Sequence, residues 1–148
     1  FCVHPLWFRV WRAVQESPVT HVRPFLMFEG RAEEAMGFYV GLVPGSAVLE
    51  LTRYEAGGPG VPGTVMRAVF SLAGLEVMCT DSPIAHGFTF TPAASLFVTC
   101  GSEEELEVLA AGLAEGGSWL MPLGDYGFSR RFGWLNDRFG VSWQLNLA

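Results

Sequence analysis

Residues 127–147 read GFSRRFGWLNDRFGVSWQLNL, and this stretch decides the fold. Residues 141–147 alternate apolar and polar side chains without interruption, which is the period of a β-strand with one buried face. The apolar members are expected to face a core, and the polar members, Gln144 among them, to face solvent or a cleft. Upstream, residues 128–134 also alternate, and residues 137–140 supply a turn that ends in glycine. The stretch therefore predicts a β-hairpin that closes the chain.

The composition indicates a globular domain and excludes several kinds of chemistry. At 148 residues, of which 50% are hydrophobic and 14% aromatic, the chain is one domain or two small halves that share a core. Its net charge of −6 disfavours nucleic-acid binding, which needs a basic face. All nine cationic residues are arginine, so neither a Schiff-base lysine nor the lysine of a phosphate-binding loop is present. The three cysteines have no metal-ligand spacing and fit a reducing cytoplasm.

Residues 1–19 stand apart from the rest of the chain. They lack the basic start and continuous apolar run of a signal peptide, and Arg9 and Arg12 interrupt them as a membrane span, so no membrane association is predicted. Read as a helix, Trp7 and Trp11 share one apolar face. Two interpretations stay open: a leader helix that docks on the domain or on a second subunit, or an extension that is not native to the protein.

The remainder of the chain repeats one pattern of elements. In the first half the pattern predicts a strand over 22–29, a helix to Leu42, a strand over 47–54 and a hairpin over 64–80. In the second half it predicts a strand over 94–100, a helix, a strand over 118–123 and the closing hairpin. Ser102 and Glu105 form a capping box at the start of the second helix.

Each half is thus strand, helix and three strands, which indicates an internal duplication. The predicted boundaries are a leader at 1–19 and one duplicated domain at 20–148. Within that domain, module one covers about 20–81, a linker covers 82–93, and module two covers about 94–148.

A duplicated βαβββ unit resembles the vicinal oxygen chelate superfamily, which includes glyoxalase I, extradiol dioxygenases and bleomycin resistance proteins. PFLMFEGRAEEAMGFYVGL at 24–42 and FGWLNDRFGVSWQLN at 132–146 are more closely similar to its PhnB-like, demethylubiquinone methyltransferase-like branch. The resemblance spans about residues 20–147. It implies an α+β fold of two βαβββ modules whose sheets curl around a shared cleft, and it implies a cytoplasmic homodimer.

In that superfamily a divalent metal is held by His and Glu from the first and last strands of each module. Alignment on Phe38-Tyr39 and on the hairpin glycines places those positions at Pro24, Met78, Ser95 and Gln144. None of the four is a His or a carboxylate, and thioether, hydroxyl and amide groups are weak ligands for hard divalent ions. No metal site and no cofactor are therefore predicted, although a divalent metal at unconventional ligands stays an alternative.

The candidate ligand-binding residues come partly from strand parity, which selects Gln144, and partly from the alignment, which selects Met78 and Ser95. Glu76 shares the parity of Met78 and is the one carboxylate expected in the cleft, whereas most single strand glutamates are surface residues. The aromatic candidates serve equally well as plain core residues, and Arg130 would attract an anionic ligand. The predicted cleft residues are Glu76, Met78, Ser95, Phe97, Trp119, Phe128, Arg130, Trp134 and Gln144. No catalytic residue is assigned.

Three functions remain open from the sequence. The first is a metal-independent protein that binds an apolar or aromatic small molecule in the cleft between the modules. The second is a divergent metal-dependent enzyme of the superfamily, and the third is a protein-interaction module whose cleft is filled by its own side chains. Methyl transfer from S-adenosylmethionine is not supported, because the usual fold needs a glycine-rich turn that opens a helix, and Gly57–Gly60 opens none.

Overall fold

A computed structural model describes residues 20–148, so both interpretations of the leader lie outside the described residues. Residues 20–148 form an α+β fold of eight strands and two helices in two βαβββ modules, as the sequence predicts. The elements are β1 Phe25–Phe28, α1 Ala32–Leu42, β2 Ala47–Arg53, β3 Val65–Leu72, β4 Leu75–Asp81, β5 Ser95–Cys100, α2 Glu103–Ala114, β6 Ser118–Gly124, β7 Phe132–Asn136 and β8 Ser142–Leu147.

Each module contributes one four-stranded sheet. The first sheet has the order β1-β4-β3-β2 and the second the order β5-β8-β7-β6. In both sheets the first strand of the module runs parallel to the last, and the other neighbours are antiparallel. The duplication is therefore present in the hydrogen bonding as well as in the order of elements.

The closing hairpin is confirmed, but its first strand is shorter than the alternation suggested. β7 begins at Phe132, and residues 125–131 form a loop instead. Gly127 has a φ of 90°, which a strand does not accommodate, and its backbone N–H donates to the Asp125 carboxylate at 2.8 Å. The local turn chemistry of Asp125 and Gly127 thus overrides the alternating pattern around Phe128 and Arg130.

The two helices begin with different caps. The Ser102 hydroxyl accepts a hydrogen bond from the Glu105 backbone N–H at 3.2 Å and so caps α2 as predicted. At α1, the buried carboxylate of Asp81, at the end of β4, accepts from the backbone N–H groups of Gly30 and Ala32. Its second oxygen accepts from the Val65 N–H at 2.9 Å. Asp81 therefore joins the helix start to two strands of its sheet.

One contiguous hydrophobic core extends across both modules. Tyr39 of α1 packs on Phe70 of the first sheet and on Trp143 of the second, at ring-centroid distances of 6.5 and 5.1 Å. Leu42 of α1 lies against Gly112 of α2, where an added Cβ would approach a Leu42 methyl carbon to 2.8 Å. The modules therefore meet through their helix-bearing faces.

The Asp137 carboxylate lies at the centre of this contact and is 4% exposed. One of its oxygens accepts from the Tyr39 hydroxyl at 2.5 Å and from the Trp143 indole N–H at 2.9 Å. The other accepts from the backbone N–H groups of Phe139 and Val141, which closes the β7–β8 turn. A buried carboxylate is stable only when it is well hydrogen-bonded, and Asp137 has four donors.

We expect Tyr39→Phe to lower the free energy of unfolding by about 1–2 kcal/mol, because it removes a hydrogen bond to a buried charge. Asp137→Ala should cost about 3 kcal/mol or more, since it leaves several buried donors without an acceptor. Urea denaturation followed by far-UV circular dichroism measures both effects. Tyr54→Phe is the matched control, because the Tyr54 hydroxyl donates to the backbone carbonyl of Asp81 at 3.0 Å. A loss for Tyr54→Phe as large as that for Tyr39→Phe would contradict the special contribution of the Asp137 charge.

The buried Tyr39 hydroxyl and Cys79 thiol predict that the protein loses stability at alkaline pH. Burial, followed by the charge of Asp137, raises the pKa of Tyr39 above its usual value of 10.0. Burial, followed by the charge of Asp81, raises the pKa of Cys79 from 9.0 to about 12. Because both pKa values are higher in the folded state, this stabilisation is complete below about pH 9 and is lost as the pH rises towards 12. Urea titrations between pH 8 and pH 11 measure it, and Tyr39→Phe should flatten the decline above about pH 10. An equally steep decline in that variant would assign the effect to other groups.

Candidate functional site

The side of the second sheet that faces away from the helices carries an ordered set of side chains, here called the outer face. Across the strands β5-β8-β7-β6, its residues align in three lateral rows. The central row is Phe97, Gln144, Trp134 and Met121; one flanking row is Ser95, Ser142, Asn136 and Ser118, and the other is Thr99, Asn146, Phe132 and Gly124. None of these side chains carries a charge.

Gln144 stands at the middle of the central row between two aromatic side chains. Its Nε2 donates to the Ser95 hydroxyl at 2.7 Å. The Trp134 indole N–H donates to the Ser142 hydroxyl, also at 2.7 Å, and Ser142 is only 1% exposed. The amide plane and the indole ring are therefore fixed by side chains of the same face, which is the support that a preformed binding site requires.

Aromatic rings continue from the central row towards the 125–131 loop. The Phe132 ring lies 6.3 Å from Phe97 and 5.0 Å from Phe128, and Tyr126 stacks on Phe128 at 6.3 Å. The Tyr126 hydroxyl donates to the backbone carbonyl of Pro122 at 2.5 Å, which holds the loop against the end of β6. Phe97 and Phe128 are 57% and 68% exposed, so this aromatic surface is open to solvent.

The structure brings together five of the sequence-predicted cleft residues on or beside this outer face: Ser95, Phe97, Phe128, Trp134 and Gln144. Arg130 lies at the end of the sheet, and its guanidinium donates to the Ala148 backbone carbonyl at 3.2 Å. Glu76 and Met78 lie on the corresponding face of the first sheet, where Met78 pairs with the half-exposed Phe25. The Glu76 carboxylate forms an ion pair with Arg23 at 2.9 Å.

Trp119 differs from the expectation, because the structure places it on the opposite side of the second sheet. It pairs with the fully buried Leu135, and a Cβ added at Gly133 would approach the Trp119 ring to 2.7 Å. A β-bulge between Trp119 and Met121 shifts the alternation by one residue, so Met121 takes the outer position beside Trp134. Parity counted from the sequence does not reveal such an irregularity.

Strand register also revises one of the aligned metal positions. Phe25 pairs with Met78 and Phe97 with Gln144, and Met78 and Gln144 each lie four residues after a turn glycine of positive φ. Ser95 lies two residues before Phe97, and Arg23 lies two residues before Phe25. The counterpart of Ser95 in the first module is therefore Arg23 and not Pro24. A guanidinium does not ligate a metal cation, and the Ser95 and Gln144 side chains bond to each other. The set at these positions therefore does not fit the metal of the superfamily.

Residues 20–148 contain no cluster of acidic, His or Cys side chains typical of a metal site, because no group of three or more of them is arranged to hold a metal ion. In the same described part of the chain, no helix is long and apolar enough to cross a membrane.

Several outer-face residues were not predicted from the sequence. Ser142 shares the polar parity of Gln144, so its position was foreseeable, but its contact with Trp134 was not. Asn136 lies on the same face, and its Oδ1 is buried without a hydrogen-bond partner among the described residues. Phe132 lies on the outer face by strand register, and Tyr126 joins the aromatic surface because the 125–131 loop folds back onto the sheet.

A cavity of about 280 Å³ lies where β1 approaches the Ser95 end of the outer face. Phe25 of β1 and Phe90 of the 82–93 segment form part of its wall, and the polar side chains of Ser95 and Ser142 form another part. The cavity therefore connects the edge of the first module with the hydroxyl-bearing row of the second.

Comparisons with known proteins agree with this architecture. The PhnB protein of Bacillus cereus is 56% identical, with a TM-score of 0.85, and the alignment covers 87% of this chain and all of that one. Protein PA1353 of Pseudomonas aeruginosa is 29% identical, with a TM-score of 0.76, and the alignment covers 86% of this chain and 97% of that one. A glyoxylase/bleomycin resistance protein/dioxygenase domain of a Frankia species shares the fold at 17% identity and a TM-score of 0.58, over 89% of this chain and 98% of that one.

A search of curated proteins found no match. Residues 20–146 match the family described as 3-demethylubiquinone-9 3-methyltransferase. The chain therefore belongs to this PhnB-like family, whose relatives share the two-module fold of the glyoxalase and bleomycin resistance proteins, as the sequence motifs indicated.

Proposed function

We propose that the chain is a small-molecule binding protein that holds an aromatic ligand against the outer face without a metal. The observation that carries this proposal is the central row, in which Gln144 lies between Phe97 and Trp134. Aromatic side chains bind planar apolar ligands by stacking, and a few fixed polar groups orient them. Phe97 is 57% exposed and is therefore accessible to such a ligand.

The chemical groups of the outer face support ligand binding and not catalysis. Its polar groups are neutral hydroxyl and amide groups, which are poor general acids and bases. Glu76, the one carboxylate expected in the cleft from the sequence, lies on the first sheet in an ion pair with Arg23. We therefore assign Ser95 and Gln144 to ligand orientation, and we propose no cofactor.

We also propose that the protein works as a homodimer in a reducing compartment such as the cytoplasm. A single outer face covers one side of a ligand only, whereas binding sites enclose most of the ligand surface. The corresponding face of the first sheet exposes Phe25 at 55%. In the proposed dimer this face of one protomer covers the outer face of the other, so that Met78 and Gln144 line one shared cleft.

We expect 2-naphthol to bind the wild-type protein, as measured by isothermal titration calorimetry. Trp134→Ala should raise the Kd by about tenfold or more, because the stacking of a planar ring on an aromatic side chain contributes about 1–3 kcal/mol. Trp119→Ala is the matched control, since the same residue type is removed from the opposite side of the same sheet. It should leave the Kd within about twofold. Equal losses in the two variants would contradict binding at the outer face.

The metal-independent part of the proposal has a separate test. Protein incubated with manganese, iron, cobalt, nickel and zinc and then desalted should retain far less than one equivalent of any of them, as measured by mass spectrometry. Its Kd for 2-naphthol should be the same with and without EDTA. Near-stoichiometric retention of one metal would overturn the assignment of Ser95 and Gln144 and favour a metal-dependent enzyme.

The proposed dimer predicts the effect of a charge placed on the face of the first sheet. Phe25→Arg should shift the mass measured by analytical ultracentrifugation from dimer to monomer, because the introduced charge would be buried without a counter-ion against the uncharged outer face of the other protomer. Val108→Arg is the control, since Val108 is 64% exposed on α2. A dimer that survives Phe25→Arg, or a wild-type monomer, would contradict this arrangement.

A further inference from the structure

The outer face differs from the equivalent face of the first sheet in its charge. On the first sheet, Arg23 pairs with Glu76 at 2.9 Å and Arg67 with Glu50 at 3.7 Å. On the second sheet, the three rows of the outer face carry hydroxyl, amide, thioether and aromatic groups alone. A charged ligand held there would lose hydration without gaining a counter-ion from this face, and the arginines of the covering first-sheet face are already paired with Glu76 and Glu50, so the site selects an uncharged ligand.

The hydrogen-bonding capacity of Gln144 restricts the chemical class of the ligand further. An amide side chain has two N–H donors and one carbonyl acceptor in a single plane. One donor of Gln144 is engaged by Ser95. If the amide is rotated by 180°, Ser95 donates to the carbonyl instead, and the oxygen keeps a second lone pair. In either orientation, the planar amide of Gln144 keeps at least one donor and one acceptor for a ligand.

A donor beside an acceptor pairs best with an acceptor beside a donor. Glutamine uses this arrangement when it binds the edge of an adenine base through two parallel hydrogen bonds. Among small planar groups, a ring in which N–H adjoins C=O has the same complementarity. A ligand with a carbonyl alone would leave one group of Gln144 unpaired beneath the bound ring, which costs affinity.

A second polar group on the outer face, Asn136, also favours a ligand that donates a hydrogen bond. The Oδ1 atom of Asn136 is buried and has no hydrogen-bond partner among the described residues. Asn136 lies two residues beyond Trp134 on β7 and beside Ser142 in the flanking row. Because this acceptor is shielded from solvent, a ligand donor reaches it only if the Asn136 side chain turns towards the outer face, and the cost of a buried acceptor without a partner favours that turn.

We infer that the ligand is a neutral planar lactam or imide, stacked on Trp134 and Phe97, with its N–H and C=O paired to the Gln144 amide. This inference rests on the proposed function, because it specifies the ligand class of the same site. The hydrogen bond from Trp134 to Ser142 keeps the indole ring in place for stacking.

The test compares three bicyclic probes of similar size in calorimetric titrations of the full chain. 2-Quinolone has the lactam N–H and C=O, N-methyl-2-quinolone keeps the C=O but lacks the donor, and quinoline-2-carboxylate is an anion. We expect 2-quinolone to bind about tenfold or more tightly than its N-methyl analogue, since one group of Gln144 is left unpaired by the analogue. The anion should bind more weakly than both neutral probes.

Gln144→Leu keeps the approximate size of the side chain and removes the donor and the acceptor. In this variant the ratio of the Kd values for the two quinolones should fall to about one, because neither probe then finds a polar partner. Ser82→Ala is the control: Ser82 lies in the 82–93 segment, where its hydroxyl contacts His86 at 2.7 Å. It should leave the ratio at its wild-type value.

Each result decides between the two proposals. Equal binding of the two quinolones to the wild-type protein, or an unchanged ratio in Gln144→Leu, would overturn the lactam assignment and leave aromatic binding intact. Tightest binding of the carboxylate would also overturn it, since the outer face would then select an anion. If no probe binds but 2-naphthol does, the lactam inference fails alone; if 2-naphthol also fails to bind, the proposed function fails with it.

Discussion

The carboxylate of Asp137 is the interaction on which the rest of the structure depends. Burying a charge costs several kcal/mol unless donors surround it, and here donors come from both modules. Tyr39 reaches Asp137 from the first helix, and Trp143 reaches it from the last strand. The same carboxylate closes the β7–β8 turn through Phe139 and Val141. Removing it would therefore loosen the final hairpin and the contact between modules together.

This contact decides which faces of the two sheets remain open. Because Tyr39 packs on both sheets, the helix-bearing faces are buried in the core. Each sheet is left with one face directed away from that core, and these faces differ. The first carries ion pairs such as Arg23 with Glu76, and the second carries uncharged polar groups around Gln144. The proposals of an aromatic ligand, a neutral lactam and a covering second protomer all follow from this division.

The sequence predicted much of the site because strand alternation and family motifs are local. Parity assigned Gln144, the alignment assigned Ser95, and Phe97 and Trp134 were proposed as strand aromatics; the sheet register places all four on one face. Trp119 was not foreseen on the opposite side, because a β-bulge depends on how β6 pairs with β7 and leaves no mark in the alternation. The position given to Pro24 belongs to Arg23 for a related reason: the alignment was anchored on α1, and the register is set by β4.

By itself, the sequence determined the two βαβββ modules, the turn glycines, the cap at Ser102 and the family, since each depends on residues close together in the chain or on a motif. The tertiary structure alone decided which groups satisfy the buried charges and which faces remain open. Asp137 and Tyr39 are 98 positions apart, and no local pattern specifies that pair. Burial forces every polar group to find a partner, and those partners are supplied by whichever segments the fold brings near.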